Sequence, residues 1–317
     1  MSIYNNSKRL IFLIGLYQVS QPILALSRTY YNQFMRQSCD KETNRSRLQK
    51  LYGGKDAYAL VTGSSDGIGK STAQDLARHG FNLILASRSA DKLDQVARQC
   101  KDINPDIKVQ KIPIDFASAQ PHDIKEMFEQ INDKNVTLLF NNVGINDQVK
   151  FLELDPQRVQ DMITVNIFTQ VFMTKYTRLL VKQNQNKSAF VHLSSILSQL
   201  PLPFHAQYSA TKRFNDVFGK MFGQTANHYG LIFDKQIDTL IVRPSGVTTP
   251  MTQFQQDPLF VKPGQVSFGE LRAVGVQDDT NGAYWHCIQG ESQKYLPIPV
   301  VHKVYKFLGS LNKAPYK

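Results

Sequence analysis

Cysteine is scarce in this chain: Cys39, Cys100 and Cys287 stand far apart in 317 residues, an odd number with no CxxC spacing. No disulfide framework is expected. The seven histidines contain no HxxxH or HExxH pair, so no metal site is expected either. Internal repeats and low-complexity tracts are missing. With 42% hydrophobic residues, the chain holds enough apolar material for one large core.

Acidic residues are thin where basic ones collect. Residues 1–55 carry nine Lys or Arg against Asp40 and Glu42, and residues 294–317 carry five lysines and no acid. Of the formal net charge of +11, these ends hold +7 and +5, which leaves the middle at −1. A near-neutral body offers no footprint for nucleic acid, whereas basic ends suit a membrane surface.

Charge is absent altogether from residues 10–27, LIFLIGLYQVSQPILALS, which Lys8, Arg9 and Arg28 flank. As a helix this stretch would span about 27 Å, enough for a bilayer core, although Gln18, Ser20, Gln21 and Pro22 interrupt it. Two readings stand: an uncleaved membrane anchor, or an amphipathic or core helix. No small-residue cleavage site stands out, and residues 1–39, with four basic residues and no acid, share the composition of a mitochondrial presequence.

What is present from Ala57 onward is alternation. The apolar runs 58–62, 82–87, 136–141, 189–194 and 238–242 read as strands buried on both faces, with helical patterns between them. The longest helix begins near Asp155 and carries Ile167, Phe168, Val171, Phe172, Leu179 and Leu180 at helical spacing. This order predicts an α/β fold: a single Rossmann-type, doubly wound parallel sheet with helices on both faces, plus an N-terminal membrane-associated helix. Ligands bind such sheets beyond the carboxyl ends of the strands, so motifs at strand ends carry the functional argument.

Four motifs fall there. TGSSDGIGK follows the first strand, giving Gly63, Ser65, Gly67, Ile68 and Gly69 before a helix; glycines permit a tight turn and bring backbone amides close to a pyrophosphate. The second strand ends in Ala86, Ser87, Arg88, where an NAD-binding protein usually shows an acid for the ribose 2′-hydroxyl. An arginine there holds a 2′-phosphate instead, which favours NADPH. Asp115 follows the third strand and NNVG, Asn141 to Gly144, the fourth; each is a turn or a cofactor contact.

Tyr208 and Lys212 of YSATK lie four apart on one helical face. The stripe Phe214, Val217, Phe218, Met221 and Phe222 centres on the other side of that helix, so the pair is expected off the packed face. A nearby ammonium is expected to lower the phenol from about 10 and make it a proton donor to a developing alkoxide. Ser195, at the end of the fifth strand, is placed to hold the carbonyl oxygen; Ser194 competes, and strand alternation allows only one of them to reach the site. Asn166, in MITVNIFTQ, is a polar amide at the start of an apolar helical run, with either a catalytic duty or that of a satisfied core or capping amide.

Together these residues resemble the short-chain dehydrogenase/reductase family from about Ala57 to Pro297. TGSSDGIG is similar to its TGxxxGxG turn, NNVG to its NNxG turn, and Asn166, Ser195, Tyr208 and Lys212 to its catalytic tetrad. The resemblance implies that the lysine also holds the nicotinamide ribose, that the asparagine supports a proton-relaying water, and that Val247 and Thr249 of RPSGVTTPM lie near the carboxamide. SRSADKLDQV, PLPFHAQYSATK and TNGAYWH resemble more narrowly the membrane-bound branch of 17β-hydroxysteroid dehydrogenases and very-long-chain 3-oxoacyl-CoA reductases. The tail NKAPYK lacks that branch's terminal dilysine, and HYGLIFDKQIDTLIV is longer than its pattern.

The resemblance implies an N-terminal anchor or targeting segment over 1–50, a reductase domain over 51–297 and a basic tail over 298–317. It implies NADPH/NADP as cofactor, a lipid-like ketone as substrate, a homodimer and the endoplasmic reticulum membrane, with a mitochondrial membrane as the alternative. Reduction of 3-oxoacyl-CoA to 3-hydroxyacyl-CoA in fatty-acid elongation leads. A 17β-hydroxysteroid dehydrogenase and a non-catalytic scaffold subunit of a membrane assembly are the alternatives. Residues 252–275, rich in Phe and Gln, are expected to form a substrate lid.

Overall fold

A computed structural model describes residues 41–177, 187–200, 204–228, 237–256 and 260–295, with single positions among 16–31 and at 202, 299, 300 and 303. Seven strands form one sheet: β1 (Tyr58–Thr62), β2 (Asn82–Ser87), β3 (Val109–Pro113), β4 (Val136–Asn141), β5 (Ser188–Leu193), β6 (Ile237–Val242) and β7 (Asp279–Thr280). All pairs are parallel, in the order β3-β2-β1-β4-β5-β6-β7. The order reverses between β1 and β4, which opens a crevice at their carboxyl ends.

Alternate residues of each strand feed two cores. Ala59, Val61, Leu83, Leu85 and Leu138 face one layer, and Leu60, Ile84, Leu139 and Phe190 the other. The first layer is covered by α1 (Lys41–Tyr52), α2 (Gly67–Arg78), α3 (Ala90–Ile103) and, further along the chain, Pro263–Ala273. The second is covered by α4 (Pro121–Glu129), then α5 (Pro156–Ile163), a π-helical turn Thr164–Phe168 and α6 (Thr169–Tyr176), and by α7 (Ala206–His228). Two further helices lie among the described residues, α8 (Pro263–Ala273) and α9 (Tyr284–Tyr295).

Helix α1 crosses the expected boundary at residue 50. Leu48 and Tyr52 are fully buried, Thr137 Oγ1 donates to the Tyr52 carbonyl at 2.7 Å, and the Tyr52 hydroxyl donates to Asp238 Oδ2 at 2.6 Å. Arg47 donates to the carbonyls of Leu271, Arg272 and Val274 at the end of α8. Most of residues 10–27 and of the tail 298–317 lies outside the described residues. Among the described residues, no helix is long and apolar enough to cross a membrane.

Two expectations are corrected. The packed face of α7 is the one carrying Tyr208, Thr211, Lys212, Asn215, Asp216 and Gly219, all buried, while Phe214, Val217 and Met221 are exposed. Small residues explain this: a Cβ on Gly219 or Gly223 would run into His192 and Ile241, or Thr239, so the helix lies hard against β5 and β6. Arg243 of β6's continuation, itself buried, pins α7 through Asp216 and reaches Asp279 at 2.8 Å. The lid reading of 252–275 also fails in its second half. Helix α8 buries Val266, Ser267, Gly269, Glu270 and Leu271, with Glu270 bonded to Thr72 and Ser267 to Asp75 of α2.

Candidate active site

The turn between β1 and α2 is shaped for close backbone approach. Gly63 and Gly67 have φ of +63° and +56°, left-handed values that a residue with a Cβ rarely adopts. At Gly69 the reason is space: a Cβ there would meet the Asn142 amide and the Gly63 carbonyl. Asp66 caps α2, accepting from Gly67 N at 2.8 Å, and Ser65 Oγ lies 2.8 Å from Ser87 Oγ, joining the turn to the end of β2. Ile68 packs down on the core. The α2 amino terminus with its glycine cradle fits a pyrophosphate.

The NNVG segment is fastened to that turn. Asn142 Nδ2 donates to the carbonyls of Thr62 at 2.8 Å and Gly63 at 3.3 Å, and the amides of Asn142 and Val143 donate to Thr62 Oγ1. Sequence reading chose Asn141, whose side chain instead turns inward and donates to Thr174 Oγ1 at 3.1 Å. Neighbouring residues at a strand end point to opposite faces, which separates the two duties. Gly144 lies against Lys212 and Asn166: a Cβ there would stand 3.1 Å from Lys212 Nζ and 3.3 Å from Asn166 Oδ1.

At the rim, the Arg88 side chain is 78% exposed, with Nη1 3.9 Å from Asp115 Oδ2. So loose and solvated a pair contributes little to stability, which leaves the guanidinium free to turn to a phosphate. Val247 forms a parallel bridge with Val261, and Thr249 lies against Gly67, so the segment 246–249 runs across the glycine turn. These residues border the crevice from both sides.

Asn166 sits in the π-helical turn, an irregularity frequent at functional sites. Its Oδ1 accepts from Ile145 N at 2.8 Å, and its Nδ2 donates to the Ile145 carbonyl at 2.9 Å and to Thr211 Oγ1 at 3.0 Å. This amide therefore fixes the strand-end loop to α7. Ser194 Oγ donates to the Lys212 carbonyl at 2.9 Å, which turns it from the site, whereas Ser195 Oγ accepts from Leu197 N at 3.2 Å, lies 3.5 Å from the Pro244 carbonyl and is close enough to Tyr208 to pull its phenol down.

Burial governs the electrostatics. It pushes the Tyr208 phenol up to about 12, with the Ser195 hydrogen bond acting in the opposite direction. Burial also lowers the Lys212 ammonium to about 8. Lys212 Nζ lies 5.7 Å from the centre of the Tyr208 ring and donates to the Leu193 carbonyl at 2.8 Å. The expected acidification of the phenol is thus not what the fold imposes, because loss of solvent outweighs the other influences. The phenol keeps its proton at neutral pH.

A small, open recess lies beside Tyr208, lined by the apolar Phe151, Leu154 and Met162 together with the polar Asp147, His205 and Gln207. Sequence reading missed Thr62, Asn142, Thr211 and His205. Asn142 was within reach as the second residue of NNVG, whereas Thr62, Thr211 and His205 carry no signal beyond adjacency to motifs.

A family model described as short chain dehydrogenase matches residues 57–259. The human very-long-chain 3-oxoacyl-CoA reductase is 32% identical over 269 residues, covering 83% of each chain. Its Danio rerio relative, reductase-A, is 33% identical over 74% of this chain and 72% of that one. Among solved structures, a 7beta-hydroxysteroid dehydrogenase superposes with a TM-score of 0.69 at 17% identity, over 81% of this chain and 98% of that one. A short-chain dehydrogenase from Sphingobium yanoikuyae in complex with NADPH gives 0.59 at 21%, over 68% and 84%. At such identities the two structures speak for the fold.

Proposed function

As the chain belongs to the short chain dehydrogenase family, we propose that it reduces the ketone of a 3-oxoacyl-CoA to the 3-hydroxyacyl-CoA of fatty-acid elongation. It is an oxidoreductase, and its cofactor is NADP(H). The observation that carries the reading is the meeting of Tyr208, Ser195 and Lys212 beside a recess of mixed apolar and polar lining.

The residues present fit the dinucleotide. Gly63, Ser65, Gly67, Ile68 and Gly69 at the α2 amino terminus take the pyrophosphate, Arg88 the 2′-phosphate and Asp115 the adenosine side; Asn141 supports the strand end from within, and Gly144 lets the cofactor approach the backbone beside Lys212. Val247 and Thr249 take the carboxamide end, and Lys212 the nicotinamide ribose. When bound, the cofactor supplies a hydride. Ser195 holds the carbonyl oxygen, and Tyr208, protonated at neutral pH, gives that oxygen its proton. Lys212 then offsets the phenolate charge left behind, a task that needs charge after transfer rather than a low resting pKa. Asn166 holds the loop at Ile145 in register with α7 and supports the path by which Tyr208 regains its proton.

The exposed Phe214, Val217 and Met221 of α7 suit a second copy of the chain, and the basic ends with residues 10–27 suit the endoplasmic reticulum membrane. Alkaline carbonate extraction of cell membranes tests the location: release of the chain into the supernatant removes the anchor. The central experiment follows NADPH oxidation by detergent-solubilised protein with 3-oxoacyl-CoA and with steroid ketones. Turnover of the acyl substrate is expected. In Tyr208→Phe, turnover should fall about 10²- to 10⁴-fold with NADPH affinity retained. Undiminished turnover in that variant removes the assigned acid, and exclusive turnover of steroids replaces the substrate.

A further inference from the structure

We propose that the recess beside Tyr208 selects ketones whose neighbouring arm carries a neutral hydrogen-bond donor, an amide N–H or a hydroxyl, and that His205 accepts that hydrogen bond. This rests on the ketone-reductase reading above and narrows it. His205 is three residues ahead of Tyr208, and its ring stands edge-on to the tyrosine with 6.5 Å between centroids. Its Nδ1 faces Asn146 Oδ1 at 3.4 Å. An amide oxygen only accepts, so the proton sits on Nδ1 and Nε2 presents a lone pair. Burial holds the imidazole below its usual pKa, which keeps it in that neutral form.

The other polar groups of the recess are acceptors as well. Gln207 spends its Nε2 on the Val159 carbonyl at 2.6 Å, and its Oε1 is closed off from solvent, so neither atom competes as a donor. Asp147 receives Arg158 Nε and Nη2, each at 3.1 Å, so its negative charge is paired while its oxygens keep lone pairs. The one hydroxyl donor there, Tyr208, is committed to Ser195 and to the reacting oxygen. His205 and Asp147 both offer lone pairs, so the recess rewards a donor, whereas a carboxylate or phosphate would bring acceptors against acceptors. In a thioester of the pantetheine type, the first amide nitrogen lies six bonds from the reacting carbon, within about 7 Å. Phosphates of such a substrate must then lie outside the recess.

The test uses two substrates on the whole solubilised chain: a 3-oxoacyl thioester of N-acetylcysteamine, and the same compound methylated on the amide nitrogen. One net hydrogen bond predicts a preference of roughly tenfold in kcat/KM for the N–H compound. His205→Phe should erase the preference and His205→Gln, which keeps an acceptor, should restore part of it, with NADPH binding as the check of folding. Equal kcat/KM for both compounds in the native chain overturns this inference alone, as does a preference that persists in a folded His205→Phe. Turnover of neither compound by the native chain overturns the 3-oxoacyl reading and this inference with it.

Discussion

Glu270→Gln probes the contact between α8 and α2, the helix that begins at the glycine turn. Glu270 is 2% exposed, bonded to Thr72 and close to Asp75, and burial with that neighbouring acid raises its carboxyl from 4.5 to about 8. The cations nearby serve other groups: Arg78 pairs with Asp75, and Arg47 meets backbone carbonyls one turn further along. Below about pH 4.5 the carboxyl is protonated in folded and unfolded chains alike, and its contribution is complete. As pH rises, the unfolded chain ionises first, and the folded group follows only near pH 8. The native protein therefore loses up to about 5 kcal/mol across that window, at roughly 1.4 kcal/mol per pH unit. A glutamine keeps the hydrogen bond and cannot ionise. Relative to wild type, the variant should gain stability as pH rises, by about 10 °C in melting temperature between pH 5 and pH 8. Thermal melts of both proteins across that range provide the assay. Parallel curves would refute the buried-carboxyl argument.

Two other perturbations address the cofactor and the assembly. Arg88→Asp should shift the NADPH to NADH ratio of kcat/KM toward NADH by about tenfold or more, since it exchanges an attraction to the 2′-phosphate for a repulsion; an unchanged ratio would detach Arg88 from specificity. Met221→Asp places a charge in the exposed apolar stripe of α7 and should convert a dimer to monomers in analytical ultracentrifugation, with the melting temperature little changed.

Sequence reading found what depends on local pattern. The doubly buried strands announce themselves as unbroken apolar runs, and β1, β2, β4, β5 and β6 lie within a residue of the expected ranges. The two-residue β7 is too short to leave a pattern. The glycine turn and the Tyr208–Lys212 spacing were equally plain, because only certain residue types fit those positions. What failed depends on three-dimensional context. Periodicity finds the apolar face of α7 but cannot say whether a core or another surface covers it; the sheet side was taken by small and polar residues. Which asparagine of NNVG faces the turn depends on where the strand ends. The Tyr208 pKa turned on burial, which spacing does not reveal.

Tyr52 and Asp238 meet near the starting ends of β1 and β6, whereas Tyr208 works beyond the finishing ends. A load applied through the residues upstream of α1 is therefore received at the far pole of the molecule from the chemistry. Arg47, by gripping α8, hands part of that load to the flank of the sheet. Whatever joins the chain ahead of α1 is thus attached at the pole opposite the proposed site.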